Sequence, residues 1–347
     1  MPSQLRVRLE HAARPFRQAS RTAKVLVAVG LLITLVFTLA AFVGPEFHEY
    51  DGIQYRVEQE DGSYEQLPRL APPSSEHLLG TTRDRYDVFA RILDGGRLAL
   101  AVVLFSTLIA MLIGVPLGLL SGYRGGKLDR ALVTVMDALY VFPPLLLAII
   151  VAFLLQAYLA QGVPSAAAAV GVVYIPQYFR VVRNHTLSVK QEPYVEAARS
   201  LGAKQHTIIS RYVAFNVIQS VPVIFTLNAA DAVLTLASLG FLGLGVQPPT
   251  PEWGYDISQA VIDITSGVWW TALWPGLAIV TLVTALTLVG EGLNDVINPL
   301  LRARGMSGAK LDDDAVSTAG GAARDGEGTL APTADGDHGD DAPGGGP

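Results

Sequence analysis

From Val25 to Gly44 the chain runs for twenty residues without a charged side chain, and similar apolar runs recur five times. At 1.5 Å per residue, about 20 helical residues cross the ~30 Å hydrocarbon core of a bilayer. The recurrences lie near residues 98–121, 131–158, 164–182, 217–239 and 269–289. Inside lipid every backbone donor and acceptor must be satisfied by the protein itself, which restricts the choice to helices or closed barrels. Runs of this length select helices, so the fold class is an all-α, polytopic membrane helical bundle with six transmembrane helices. Composition agrees: half of the 347 residues are hydrophobic and 16% are charged, with a mean hydropathy of +0.38. There is no cysteine, which excludes disulfides, thiolate metal sites and cysteine nucleophiles. No basic domain exists, so membrane lipid and not nucleic acid is the expected surrounding.

Charge sets the orientation. Residues 1–24 hold six Lys and Arg against one acid, Glu10, and read as a basic amino-terminal arm ahead of an uncleaved first span at 25–44. The short connections at 159–163 and 245–268 hold none of the 25 Lys and Arg, while 19 fall in the arm, 122–130, 180–216 and the tail. Basic segments stay in the cytoplasm, so both termini and a loop at 184–216 are expected there. Residues 45–97 then form an external loop, 98–300 a core of five spans, and 301–347 an acidic, Gly/Ala/Asp-rich disordered tail.

Several features carry local expectations. Gly114, Gly118 and Gly122 stand four apart, which lets two helices approach closely. Pro143-Pro144 interrupt the third span, and Pro116, Pro222 and Pro275 mark further bends. Trp269, Trp270 and Trp274 suit a membrane interface. Asp231 is the only formal charge deep in a span; it either faces a translocation cavity or another subunit, or serves as a structural hydrogen-bonding residue. His185 and His206 lack carboxylate or thiolate companions at ligand spacing, so no metal and no other cofactor is expected.

Between the fourth and fifth spans lies Glu192-Pro193-Tyr194-Val195-Glu196-Ala197-Ala198-Arg199-Ser200-Leu201-Gly202. Pro193 fits a first helical turn and Gly202 the position past a helix end. Tyr194, Ala198 and Leu201 recur at i, i+4 and i+7, on one face of a short amphipathic helix. The segment from Glu196 to Gly202 resembles the "EAA" loop of the membrane subunits of ATP-binding cassette (ABC) importers. A second string, Phe241-Leu242-Gly243-Leu244-Gly245-Val246-Gln247-Pro248-Pro249-Thr250-Pro251-Glu252-Trp253-Gly254, is similar almost letter for letter to a signature of the dipeptide/oligopeptide/nickel permeases. Its glycines permit a tight bend and its prolines hold an extended turn.

The resemblance covers about residues 75–300. It implies a type I ABC importer permease fold. It also implies Tyr194, Glu196, Ala197, Ala198 and Gly202 as coupling residues that dock on an ATPase. The implied partners are a homologous permease subunit, forming a heterodimer, two ATP-binding subunits and an external substrate-binding protein in the cell membrane. The chain has no phosphate-binding loop of its own, so it is not expected to be an enzyme. The implied cargo is a dipeptide or oligopeptide. Nickel or another small solute, a self-contained secondary transporter, and a membrane-embedded enzyme are the competing readings. The last would need a His/Asp/Glu cluster at membrane depth.

Overall fold

A computed structural model describes residues 19–48, 51–53, 55–58, 64–155, 158 and 162–297. Most of the basic arm and the whole of the acidic tail lie outside the described residues. Helix α1 (Arg21–Val43) leads to a 3-10 turn (Gly44–Phe47), and strands β1 (Arg56–Glu58) and β2 (Tyr64–Gln66) form an antiparallel hairpin pairing Val57 with Glu65. Then come α2 (Val88–Arg124), α3 (Gly126–Val141), α4 (Pro144–Leu155), α5 (Val163–Val189) and α6 (Pro193–Ser200). Short helices α7 (Gln205–Thr207) and α8 (Ala214–Val217) lead into α9 (Val221–Phe241), followed by α10 (Trp253–Ile264) and α11 (Trp270–Ile297).

Among the described residues, five helical stretches are long and apolar enough to cross a membrane, and the α3–α4 pair makes a sixth if it is one broken span. The third apolar run is therefore not a single rod over 131–158: α3 and α4 meet at 101°. Phe142 is extended, with ψ 136°, because a following proline disfavours the helical conformation and offers no donor. At about 24 Å and 18 Å, neither half alone spans the hydrocarbon core.

The expected loop at 45–97 also ends earlier, since α2 begins at Val88. Asp87 caps it by accepting from the Ala90 amide at 2.9 Å, and residues 88–97 are too charged for hydropathy to reveal them as helix. Within α2, Gly114, Gly118 and Gly122 lie against α5: a methyl on each would sit 2.6–2.7 Å from Tyr178 Cβ, the Phe179 carbonyl and Thr186 Cβ. This seam is the spine of the core, with Val102, Ala110, Val170, Tyr178 and Val182 buried along it. Helix α1 packs on α11 by the same device, through Gly30 against the Ala285 carbonyl and Gly292 against Val27.

Candidate functional site

Helix α6 starts at Pro193, which needs no amide partner in a first turn, and stops at a glycine. Gly202 has φ +76°, and its amide donates to the Arg199 carbonyl while the Ala203 amide donates to that of Ala198. These bonds close the helix end through a left-handed residue. Val195 and Ala198 turn inward and are buried in the chain's own core. Ala198 thus does not share the open face with Tyr194 and Leu201, as its spacing suggested; it anchors the helix. The outward face carries Tyr194 (41% exposed), Glu196, Ala197 and Leu201, the last 88% exposed. An aliphatic side chain this bare, just past the end of a two-turn helix, leaves an apolar spot that no described residue covers.

What α6 is fastened to matters as much as what it exposes. The preceding helix α5 is bolted to the α2–α3 corner. Arg183 meets Asp129 at 2.6 Å, Ser121 donates to the same carboxylate, and the Lys190 ammonium donates to the Gly122 carbonyl at 2.7 Å. Beside them Arg180 pairs with Asp137 at 2.9 Å and lies 3.9 Å from the centre of the Tyr140 ring. On the other side, Gln205–Phe241 forms one helical run that is distorted near its start. Ile208–Val213 is wound as π-helix and Ile218–Ser220 as 3-10 helix. Such departures from regular winding mark hinges.

Asp231 sits at the centre of α9, ten residues from either end. Its side chain is on an open face, with Leu227, Leu234 and Phe241 exposed along the same helix. Among the described residues its carboxylate has no hydrogen bond or ion pair. Behind it Thr235 donates to the Asp231 carbonyl at 3.0 Å, so the Tyr174 hydroxyl, 2.8 Å from Thr235 Oγ1, is the donor in that contact.

The signature string folds into a knot at the opposite end of the bundle. Gly243 (φ +73°) ends α9, and Gly245 lies so close to Gly240 that a methyl would come within 2.8 Å of its Cα. Phe241 and Leu242 stay exposed, and Pro248 and Pro249 join through a cis bond. Trp253 is buried, donates to the Ile92 carbonyl at 3.3 Å, and meets Phe37 edge-on with ring centres 5.5 Å apart. Gly254 packs on the backbone of Ala237. Sequence spacing could not show the partner of this knot, Arg91. Its guanidinium clamps Asp256 at 2.6 Å and also donates to the carbonyls of Gly52 and Pro249, joining four segments. Nearby, Asp87 receives His77 at 3.0 Å and His48 at 3.1 Å, and Trp270 donates to the Thr81 carbonyl. Trp270 is therefore a buried brace, not part of an interfacial belt.

Glu252 is the knot's pH-sensitive group. It is buried, caps α10 by accepting from the Gly254 and Tyr255 amides, and lies directly over Gly240. Burial pushes its carboxyl up to about 7, against those two amides that favour the ion. The folded state thus holds the proton more tightly than the unfolded chain. The stabilisation is complete below about pH 4.5 and is lost as pH rises through 7. Hydrogen exchange at the Gly254 and Tyr255 amides is expected to quicken between pH 6 and 8, after correction for intrinsic rates. Flat protection across that window would refute the assignment.

Apolar helices joined by small-residue seams, with a short amphipathic helix held out at one end, define a bundle of membrane-length helices. The chain belongs to the family described as binding-protein-dependent transport system inner membrane component, whose model matches residues 114–303. It is 39% identical over 279 residues to the glutathione transport system permease protein GsiD of Pectobacterium atrosepticum, covering 80% of this chain and 88% of that protein. It is 34% identical over 293 residues to the dipeptide transport system permease protein DppC of Alkalihalophilus pseudofirmus, covering 84% and 92%. A solved structure of the MetNI methionine ABC transporter in inward-facing conformations contains a similar chain. The TM-score is 0.50 at 21% identity, over 59% of this chain and 96% of that one, a likeness of fold. The protein is accordingly a permease subunit of an ABC importer, with the type I permease fold.

Proposed function

We propose that the end carrying α6 faces the cytoplasm, that α6 docks on a separate ATP-binding subunit, and that the importer carries peptides. The observation that supports this most is the bare apolar face of Tyr194, Ala197 and Leu201 on a helix otherwise fixed to the core. The distribution of Lys and Arg supports the orientation, and the names of the glutathione and dipeptide relatives support the cargo. Two ATPase subunits, a second permease subunit and an external binding protein complete the assembly.

Closure of the ATPases would push α6. The Arg183–Asp129 and Lys190–Gly122 contacts would carry that push into the α2–α5 pair, while the π-wound stretch lets α9 tilt separately. Replacing Leu201 by Glu puts a charge on the docking face without touching the chain's own packing. Co-purification of the ATPase is expected to fall at least tenfold, with the permease inserting normally. Full retention of the ATPase would refute docking through α6.

Asp231 is the residue we assign to the translocation path. An ionised carboxylate at mid-bilayer facing lipid costs about 2.5–3.5 kcal/mol on insertion scales, so its open face turns toward water or protein. Asp231→Leu is expected to lower peptide uptake about tenfold with the complex intact. A complex that falls apart instead would assign the carboxylate to the contact between permease subunits.

A further inference from the structure

The corner between α2 and α3 holds three cations that the chain itself does not use. Arg124 is the last residue of α2, and Lys127 and Arg130 lie one turn apart at the start of α3. All three are exposed, and among the described residues none has a side-chain hydrogen bond or ion pair. The two carboxylates of α3 are spent elsewhere. Asp129 turns inward to Arg183 and Ser121, and Asp137 pairs with Arg180. The corner thus presents three positive charges with no free carboxylate on α3 to balance them. The turn is open to approach, since nothing lies within 4 Å of a methyl added to Gly125 or Gly126.

An apolar stripe runs beside these cations. Leu128, Ala131 and Val135 recur at i, i+3 and i+7 along α3, and all are exposed, Val135 by 54%. Lys127, Arg130 and Thr134 form the parallel stripe one residue back, and they too are exposed. α2 is a membrane-length apolar helix and α3 opens the broken span, so the corner that joins them lies where acyl chains end and headgroups begin. A phosphate next to an acyl chain is the chemistry that matches cations next to Leu128 and Val135. We infer that this corner binds an anionic phospholipid, its phosphate between Arg124, Lys127 and Arg130 and an acyl chain along Leu128, Ala131 and Val135. A lipid held there would brace the corner to which α5 is fastened through Arg183 and Lys190.

The test uses the complete purified transporter in detergent, with phosphatidylglycerol as the probe and phosphatidylcholine as the zwitterionic control. Binding is followed by native mass spectrometry across a titration. Replacing Arg124, Lys127 or Arg130 singly by Gln is expected to weaken phosphatidylglycerol binding about fivefold, and all three together about a hundredfold. Lys127→Arg, which keeps the charge, should bind as the wild type does. Val135→Asn should weaken binding severalfold by spoiling the apolar stripe. In vesicles, phosphatidylglycerol should raise ATP-driven uptake over phosphatidylcholine alone, and the triple Gln variant should lose that gain. Equal affinity of the triple variant and the wild type for phosphatidylglycerol would overturn the site. Displacement of the lipid by glycerol phosphate at equal concentration would assign the cations to a soluble phosphate and overturn the lipid. Loss of the ATPase subunit from the triple variant, with lipid binding intact, would assign them to a subunit contact and overturn it too. The binding measurement does not depend on which side of the membrane this end faces or on docking through α6, so its outcome stands apart from those proposals.

Discussion

Replacing Gly254 by Ala is expected to remove most of the assembled protein from the membrane. A methyl there would collide with the Ala237 carbonyl oxygen and stand 2.6 Å from its carbon. Both are backbone atoms, in a helix that cannot step aside. Overpacking of a well-filled site costs about 1–3 kcal/mol when side chains can move, and rigid neighbours place this one at or beyond the upper end. Gly240→Ala should lose less, since its methyl would fall on the Glu252 carboxylate, a side chain that can move at the cost of its bonds to the Gly254 and Tyr255 amides. Gly243→Ala is the informative contrast. It has φ +73° but no atom within 4 Å of an added methyl, so only backbone strain of about 1 kcal/mol is expected. Quantifying folded permease by size-exclusion chromatography in detergent checks the ranking. Equal loss for all three would mean that close packing is not what the signature's glycines provide.

Gly202→Val is expected to leave the protein folded and inserted but to lower transport at least tenfold. Nothing lies within 4 Å of an added Cβ at Gly202, so the substitution is sterically free of its surroundings. The strain is in the backbone: φ is +76°, a region that β-branched residues avoid at a cost above about 1–2 kcal/mol. The chain relieves it by abandoning the left-handed turn. That breaks the Gly202–Arg199 and Ala203–Ala198 bonds and re-aims α6 relative to the helical run from Gln205 to Phe241. Gly202→Ala should show a smaller loss and Gly202→Asn a smaller one still, because Asn tolerates that region. ATP-driven peptide uptake, normalised to permease content, is the readout. Wild-type uptake by Gly202→Val would mean that the angle of α6 does not matter for coupling.

The two glycines show where sequence reasoning reaches and where it stops. The Phe241–Gly254 string could be read as a tight bend from its letters, yet the partners that make Gly254 and Gly240 irreplaceable are Ala237 and Glu252. Those contacts depend on a chain reversal that periodicity does not encode. The small residues of α2 announced a close helix pair, but only three dimensions identify α5 as the partner. Hydropathy found the apolar runs and missed residues 88–97 of α2, whose charges face protein: Arg91 meets Asp256 from 165 positions away. Periodicity placed Ala198 on the face of Tyr194 and Leu201, because a two-turn helix leaves its boundary residues ambiguous. Packing against the core decides for Val195 and Ala198 inside. The two prolines at 143 and 144 signalled an interruption, and the 101° angle follows from the extended Phe142 before them.

The most direct test of the account is site-specific cross-linking of α6 in the intact importer. Ser200, exposed at the end of the helix, tolerates replacement by Cys, and the rest of the chain has no thiol to confuse the result. A photoactivatable cross-linker attached through the Ser200→Cys thiol should join this subunit to the ATPase subunit. Capture of the external binding protein by Ser200→Cys, or labelling of that thiol from the outer side of the membrane, would contradict it.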